Sequence, residues 1–149
     1  MNFEIKPKEG FGVLNFTDST ERVVEVLGSP EEVERLDEDD TFNTVVMNYW
    51  EQGISIFFEG LDKSVLSCFE TDNPESVLFG EKVFEMDEKD ICSLMQTNGF
   101  ELSDDEIEDE GERRLSFDDA MLDFFFEDGE LCLVNWGVLV NEHGEVGQI

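Results

Sequence analysis

The chain has 149 residues, of which 40% are hydrophobic and 14 are Phe, enough apolar surface for one packed domain. Its 39 acidic against 9 basic side chains give a formal net charge of -30, which excludes binding to a nucleic-acid backbone or an anionic membrane by charge neutralisation. No apolar run approaches the roughly 20 residues of a membrane-spanning helix, and the three cysteines, Cys68, Cys92 and Cys132, lack CxxC spacing, which favours a reducing compartment over a disulfide framework.

The first residues, MNFEIKPKEGFG, carry neither a basic segment followed by an apolar stretch nor a lipoprotein-type cysteine, so a cytoplasmic protein is expected. Asp18 followed by Glu21 reads as a helix start of capping-box type, Val23, Val24 and Leu27 form its apolar stripe, and Gly28 ends it. Ser29-Pro30-Glu31-Glu32 then predicts a second, short helix, with Ser29 as cap and Pro30 in the first turn. Three β-rich stretches follow, Thr44 to Trp50, Ile54 to Phe58 and Val65 to Phe69, separated by turns containing Gly53 and Gly60.

The same plan recurs further along. Asp87 opens a helix carrying Ile91, Leu94 and Met95, Asn98-Gly99 closes it, and Ser103 with Glu106 predicts another short acidic helix. Leu115 to Phe117, Leu122 to Phe126 and Leu131 to Trp136 read as strands, the last two joined by Glu127-Asp128-Gly129-Glu130, where Asp-Gly suits the positive φ of a tight hairpin. Phe11-Gly12 matches Phe79-Gly80, Phe16 matches Phe84, Val23 matches Ile91, and Ile54 to Glu59 matches Leu122 to Glu127, all at an offset of 68 residues. The expected fold class is α+β: two tandem α-α-β-β-β repeats, about 11–70 and 79–136, whose helices pack on one face of an antiparallel sheet. The remainder, 137–149, reads as a C-terminal tail within a single 1–149 unit.

Catalytic constellations are missing. His143 is the sole histidine and lies in a polar tail, so neither a Ser/His/Asp triad nor a multi-histidine metal site can be built. The cysteines have no histidine base in their sequence context and read as core. Gly10-Phe11-Gly12 lacks the rest of a phosphate loop. With Gly111 at the glycine position of a calcium loop, the final ligand position falls on Phe117, which cannot coordinate. No catalytic residue, metal or cofactor is expected.

Candidate binding residues fall into two sets. The acidic clusters Asp37, Glu38, Asp39 and Asp40, and Asp104, Asp105, Glu106, Glu108, Asp109 and Glu110, are either solvated surface or docking surfaces for a Lys/Arg-rich partner. Strand alternation places Ile54, Ile56 and Phe58 on one face with Phe57 on the other, and Phe124 and Phe126 opposite Phe125. The second face, with Trp50 and Trp136 as further aromatics, is either where the two copies pack or form one continuous sheet, or an interface of aromatic anchors ringed by acids.

The Phe11-Gly12 start, the Thr17-Asp18-Ser19 helix entry, Leu27-Gly28-Ser29-Pro30 and Tyr49-Trp50 before Gly53 resemble the small helix-helix-sheet domain of outer-membrane assembly lipoproteins. The tandem duplication is similar to that of β-lactamase inhibitory proteins. Over about Phe11 to Trp136, the resemblance implies a non-catalytic, protein-binding fold. Without paired cysteines in each copy, the style is that of a cytosolic immunity protein, one that neutralises a basic toxin such as a nuclease. The alternative is a structural or housekeeping domain whose acidity serves solvation only.

Overall fold

The computed structural model describes residues 3–36, 43–60, 64–109, 111–140 and 145–146. Strands account for 48% and helices for 19% of it, so the protein is mainly β, and the expectation of two helices per repeat is corrected. A small sheet is built from β1 (Glu4–Lys6), β2 (Gly10–Phe11), β3 (Leu14–Asn15), β8 (Val77–Leu78) and β9 (Glu81–Lys82), in the order β3-β2-β1-β8-β9. A large antiparallel sheet is built from β4 (Glu32–Leu36), β5 (Asn43–Tyr49), β6 (Ile54–Gly60), β7 (Val65–Thr71), β10 (Asp104–Asp109), β11 (Glu112–Phe117), β12 (Leu122–Glu127) and β13 (Glu130–Gly137). Its order, β10-β11-β12-β13-β7-β6-β5-β4, places two four-stranded meanders side by side, joined where β13 pairs with β7.

Each meander follows one helix, α1 (Thr20–Leu27) or α2 (Glu88–Thr97). Ser19, one residue beyond the expected Asp18, caps α1 by accepting the Arg22 N–H, while Asp18 accepts the N–H of Asn15 instead. Asp87 caps α2 in a reciprocal box with Asp90, and Gly28 at φ 83 ends α1. The Tyr49 hydroxyl donates to the Gly28 carbonyl at 2.9 Å, fastening the end of α1 to the sheet.

The predicted second helices are edge strands. Pairing β4 with β5 and β10 with β11 satisfies backbone groups of Asn43–Tyr49 and Glu112–Phe117 that a helix would leave unmatched. Glu31, expected in a helix, accepts the N–H of Trp50 across the gap. Ser103 accepts the N–H of Asp118 and donates its own N–H to Ser116, so its capping role belongs to the short 3-10 turn Asp118–Ala120. The acidic run in β10 is tolerated in a strand because Arg113 and Arg114 on β11 neutralise it: Arg113 grips Asp105 with two N–H groups and reaches Glu88 on α2 at 2.5 Å, and Arg114 pairs with Glu106.

One hydrophobic core draws on both halves. Inner-face residues of the large sheet, among them Ile56, Phe58, Phe69, Phe124, Val134 and Trp136, pack against Val23 of α1, Ile91 and Met95 of α2, and Ile5, Phe11 and Leu14 of the small sheet. Phe11, Phe69 and Trp136 lie with ring centroids 5.1 to 5.7 Å apart. The parallel pairing of β1 with β8 ties the N-terminus to the start of the second half.

The halves are related by a pseudo-twofold rotation. Ile54 faces Thr71 across the β6–β7 hairpin, and Leu122 faces Trp136 across β12–β13, so Thr71 corresponds to Trp136. The offset of 68 therefore shortens to 65 on the last strand, because the two-residue turn Asp128-Gly129, both at positive φ, joins β12 to β13. A register shift beside Phe57 recurs beside Phe125, which supports the same alignment. The axis passes through the Glu70–Asn135 pair, where Asn135 Nδ2 donates to Glu70 Oε1 at 3.0 Å.

Candidate outer-face binding site

Period-2 alternation gives the large sheet an inner face sealed in the core and an outer face. Phe57 and Phe125 occupy equivalent outer positions of one continuous sheet and are half-buried, on either side of the pseudo-twofold axis. Around them on the outer face stand Glu59, Glu70 and Asp123, with Leu133 directly opposite Phe125. Arg114 faces Phe125 from β11. On the β4 side Asn48, 1% exposed, donates to Glu32 at 3.3 Å and to Glu34 at 3.0 Å and accepts from Ser55 at 2.7 Å, which holds two carboxylates on the outer face.

The other expected site residues are dispersed. Trp50 lies in the turn after β5 and is 59% exposed. Trp136 is 0% exposed, on the inner face, with its indole N–H donating to the Gly10 carbonyl at 3.0 Å; it belongs to the core and meets no partner. Asp104, Asp105 and Glu106 lie on the β10 edge, exposed and engaged with Arg113 and Arg114, while Glu108 and Asp109 continue the same strand. Asp37, Glu38, Asp39, Asp40 and Glu110 lie outside the described residues, as does His143.

Sequence reasoning missed a recess of about 460 Å³ where the outer face meets the turn before β12. Glu59, Cys68, Asp123 and Asn135 line it from the sheet, Asp118 and Met121 from the turn, and Val138 and Leu139 from the segment after β13. Gly137 contributes no side chain, and a Cβ there would lie 2.6 Å from the Ser67 carbonyl oxygen. Burial pushes the Cys68 thiol up to about 12, with Glu70, Glu59 and Asp123 adding to the rise, so the field at the recess floor is negative. The thiol donates to Asn135 Oδ1 at 3.6 Å and stays protonated near neutrality. Alternation could have revealed Asp123, since it is the outward-facing counterpart of Ser55 at the repeat offset.

A smaller recess of about 120 Å³ occupies the equivalent place in the first half. There Trp50 stands for Asp118, Gly53 for Met121, Ser55 for Asp123 and Asp72 for Gly137. Among the described residues no group of three or more His, Cys, Asp or Glu is placed to hold a metal ion, and no helix is long and apolar enough to cross a membrane. Comparisons with protein-family models, with curated proteins and with solved structures gave no match.

Proposed function

We propose that this chain is a non-enzymatic binding protein of the cytoplasm that inhibits a basic protein, in the manner of an immunity protein covering the substrate cleft of a toxin such as a nuclease. The observation that carries the reading is the outer face of the eight-stranded sheet, where Phe57, Phe125 and Leu133 lie among carboxylates on a chain of net charge -30. Aromatic anchors within a polar rim suit a tight interface, and the surrounding negative potential accelerates encounter with a positive partner.

A second reading accounts for part of the charge without a partner. The terminal strands β4 and β10 carry Glu32, Glu34, Asp104, Asp105 and Glu106, and charged side chains on sheet edges oppose pairing with another chain. The acidity of the edges then serves solubility, as in a structural or housekeeping domain.

The test is to recover the partner on the immobilised chain from its native cell and to follow association against salt. A basic partner is expected, with an association rate falling about tenfold or more between low and high ionic strength. A rate indifferent to salt would sink the proposal.

A further inference from the structure

The large recess has a shape and polarity that the general charge of the chain does not explain. Its walls divide by chemistry: Met121, Val138 and Leu139 are apolar, whereas Glu59, Asp118 and Asp123 are acids that form no ion pair with any described residue. By contrast, Asp104, Asp105 and Glu106 of β10 are matched by Arg113 and Arg114. Leu139, on the rim, is 58% exposed.

We propose that this recess is the socket for one lysine or arginine side chain of a basic protein partner, its alkyl stem lying along Met121, Val138 and Leu139 and its charged head among Asp118, Asp123 and Glu59. The inference rests on the outer-face reading above and sharpens it to one point of contact. A long basic side chain is the natural occupant because it is itself divided into an apolar stem and a cationic tip. The volume, about 460 Å³, admits such a chain with water around its head, whereas the equivalent recess, about 120 Å³, has Trp50 and Ser55 in the places of Asp118 and Asp123 and so lacks the paired acids for the head. The duplication has therefore left one socket, in the second half.

A decalysine peptide titrated calorimetrically into the whole protein at about 100 mM salt tests this, since electrostatic attraction is still felt at that strength. The variant Asp118→Asn/Asp123→Asn should bind about tenfold more weakly. The equally neutralised Glu25→Gln/Glu81→Gln variant, altered at exposed positions on α1 and the small sheet, should lose no more than about twofold. Leu139→Ser, which leaves the charge untouched, should lose about threefold through the stem. Circular dichroism confirms that each variant is folded. Equal losses in the two double variants, or an unchanged Leu139→Ser, overturn the socket while leaving the acidic-face reading in place. Failure of the unaltered protein to bind the peptide even at low salt overturns both.

Discussion

The two halves of the large sheet carry the same strands in the same order, yet they differ where β6 and β12 begin. In the first half Trp50 and Asp72 crowd the turn, and the recess shrinks to about 120 Å³. In the second, Asp118 and Gly137 stand in those places and the space opens to about 460 Å³. The seam differs as well: inward-facing Thr71 donates its hydroxyl to Gly53, whereas its counterpart Trp136 fills the core and donates to Gly10. The two halves share the hydrogen-bonded frame and differ in the side chains at equivalent points. One half thereby became the better candidate for a specific contact.

Substitutions at equivalent positions test how the two halves differ. The largest effect is expected at Trp136→Ala, which empties the centre of the shared core and removes the donor from the Gly10 carbonyl, costing about 3–5 kcal/mol in denaturant unfolding. Thr71→Ala, which removes a smaller side chain together with its hydroxyl's bonds to the Gly53 carbonyl, the Ser76 hydroxyl and the Asn73 N–H, should cost about 2 kcal/mol. Equal losses would deny that the core is centred on the second half's tryptophan.

Alkaline titration probes the recess floor. Because the folded state holds the Cys68 proton more tightly than the unfolded chain does, its stabilising contribution is intact below about pH 9 and is lost as pH rises towards about 12. Stability should therefore fall by roughly 2 kcal/mol between about pH 9 and 11, and Cys68→Ala should flatten that slope. Alkylation near pH 8 should reach exposed Cys132 well before Cys68. Modification of Cys68 first would contradict its burial.

Gly137→Ala forces a Cβ to within 2.6 Å of the Ser67 carbonyl oxygen and should cost about 1–3 kcal/mol. Asp72→Ala, at the equivalent exposed position, should remain within about 0.5 kcal/mol. The smallest contrast lies in the helix caps: Ser19→Ala should cost about 1 kcal/mol, and Asp87→Ala somewhat more because its bond with the Asp90 N–H has a reciprocal partner. Thermal melts of the two variants measure the difference.

What could be read from the residues was local. The six central strands follow from runs of β-branched and aromatic side chains, and Asp128-Gly129 marks its hairpin unaided. Both helices carry caps and stops within a few residues of where they were expected. Glu31-Glu32 and the run from Asp104 misled because capping signals and acids favour a helix locally, whereas the open edges of the next strands, Asn43–Tyr49 and Glu112–Phe117, take those segments as strands. The small sheet escaped notice for the same reason: its strands are two or three residues long and exist only through their partners.

At the site, Phe57 and Phe125 followed from alternation alone. Trp136 did not, since both alternating sets in Leu131 to Trp136 contain apolar residues and only the pairing with Phe69 and Leu122 selects the face. The recess was invisible because Glu59, Asp118 and Asp123 come together only when β7 lies against β13.

The most direct measurement places a photo-crosslinking phenylalanine analogue at Phe125 and, in a second protein, at Val24 on the helix covering the other face, each exposed to the native cell extract. A covalent adduct with a basic protein is expected from Phe125 and none from Val24. An adduct from Val24 alone, or an acidic protein captured at Phe125, would contradict the outer-face proposal.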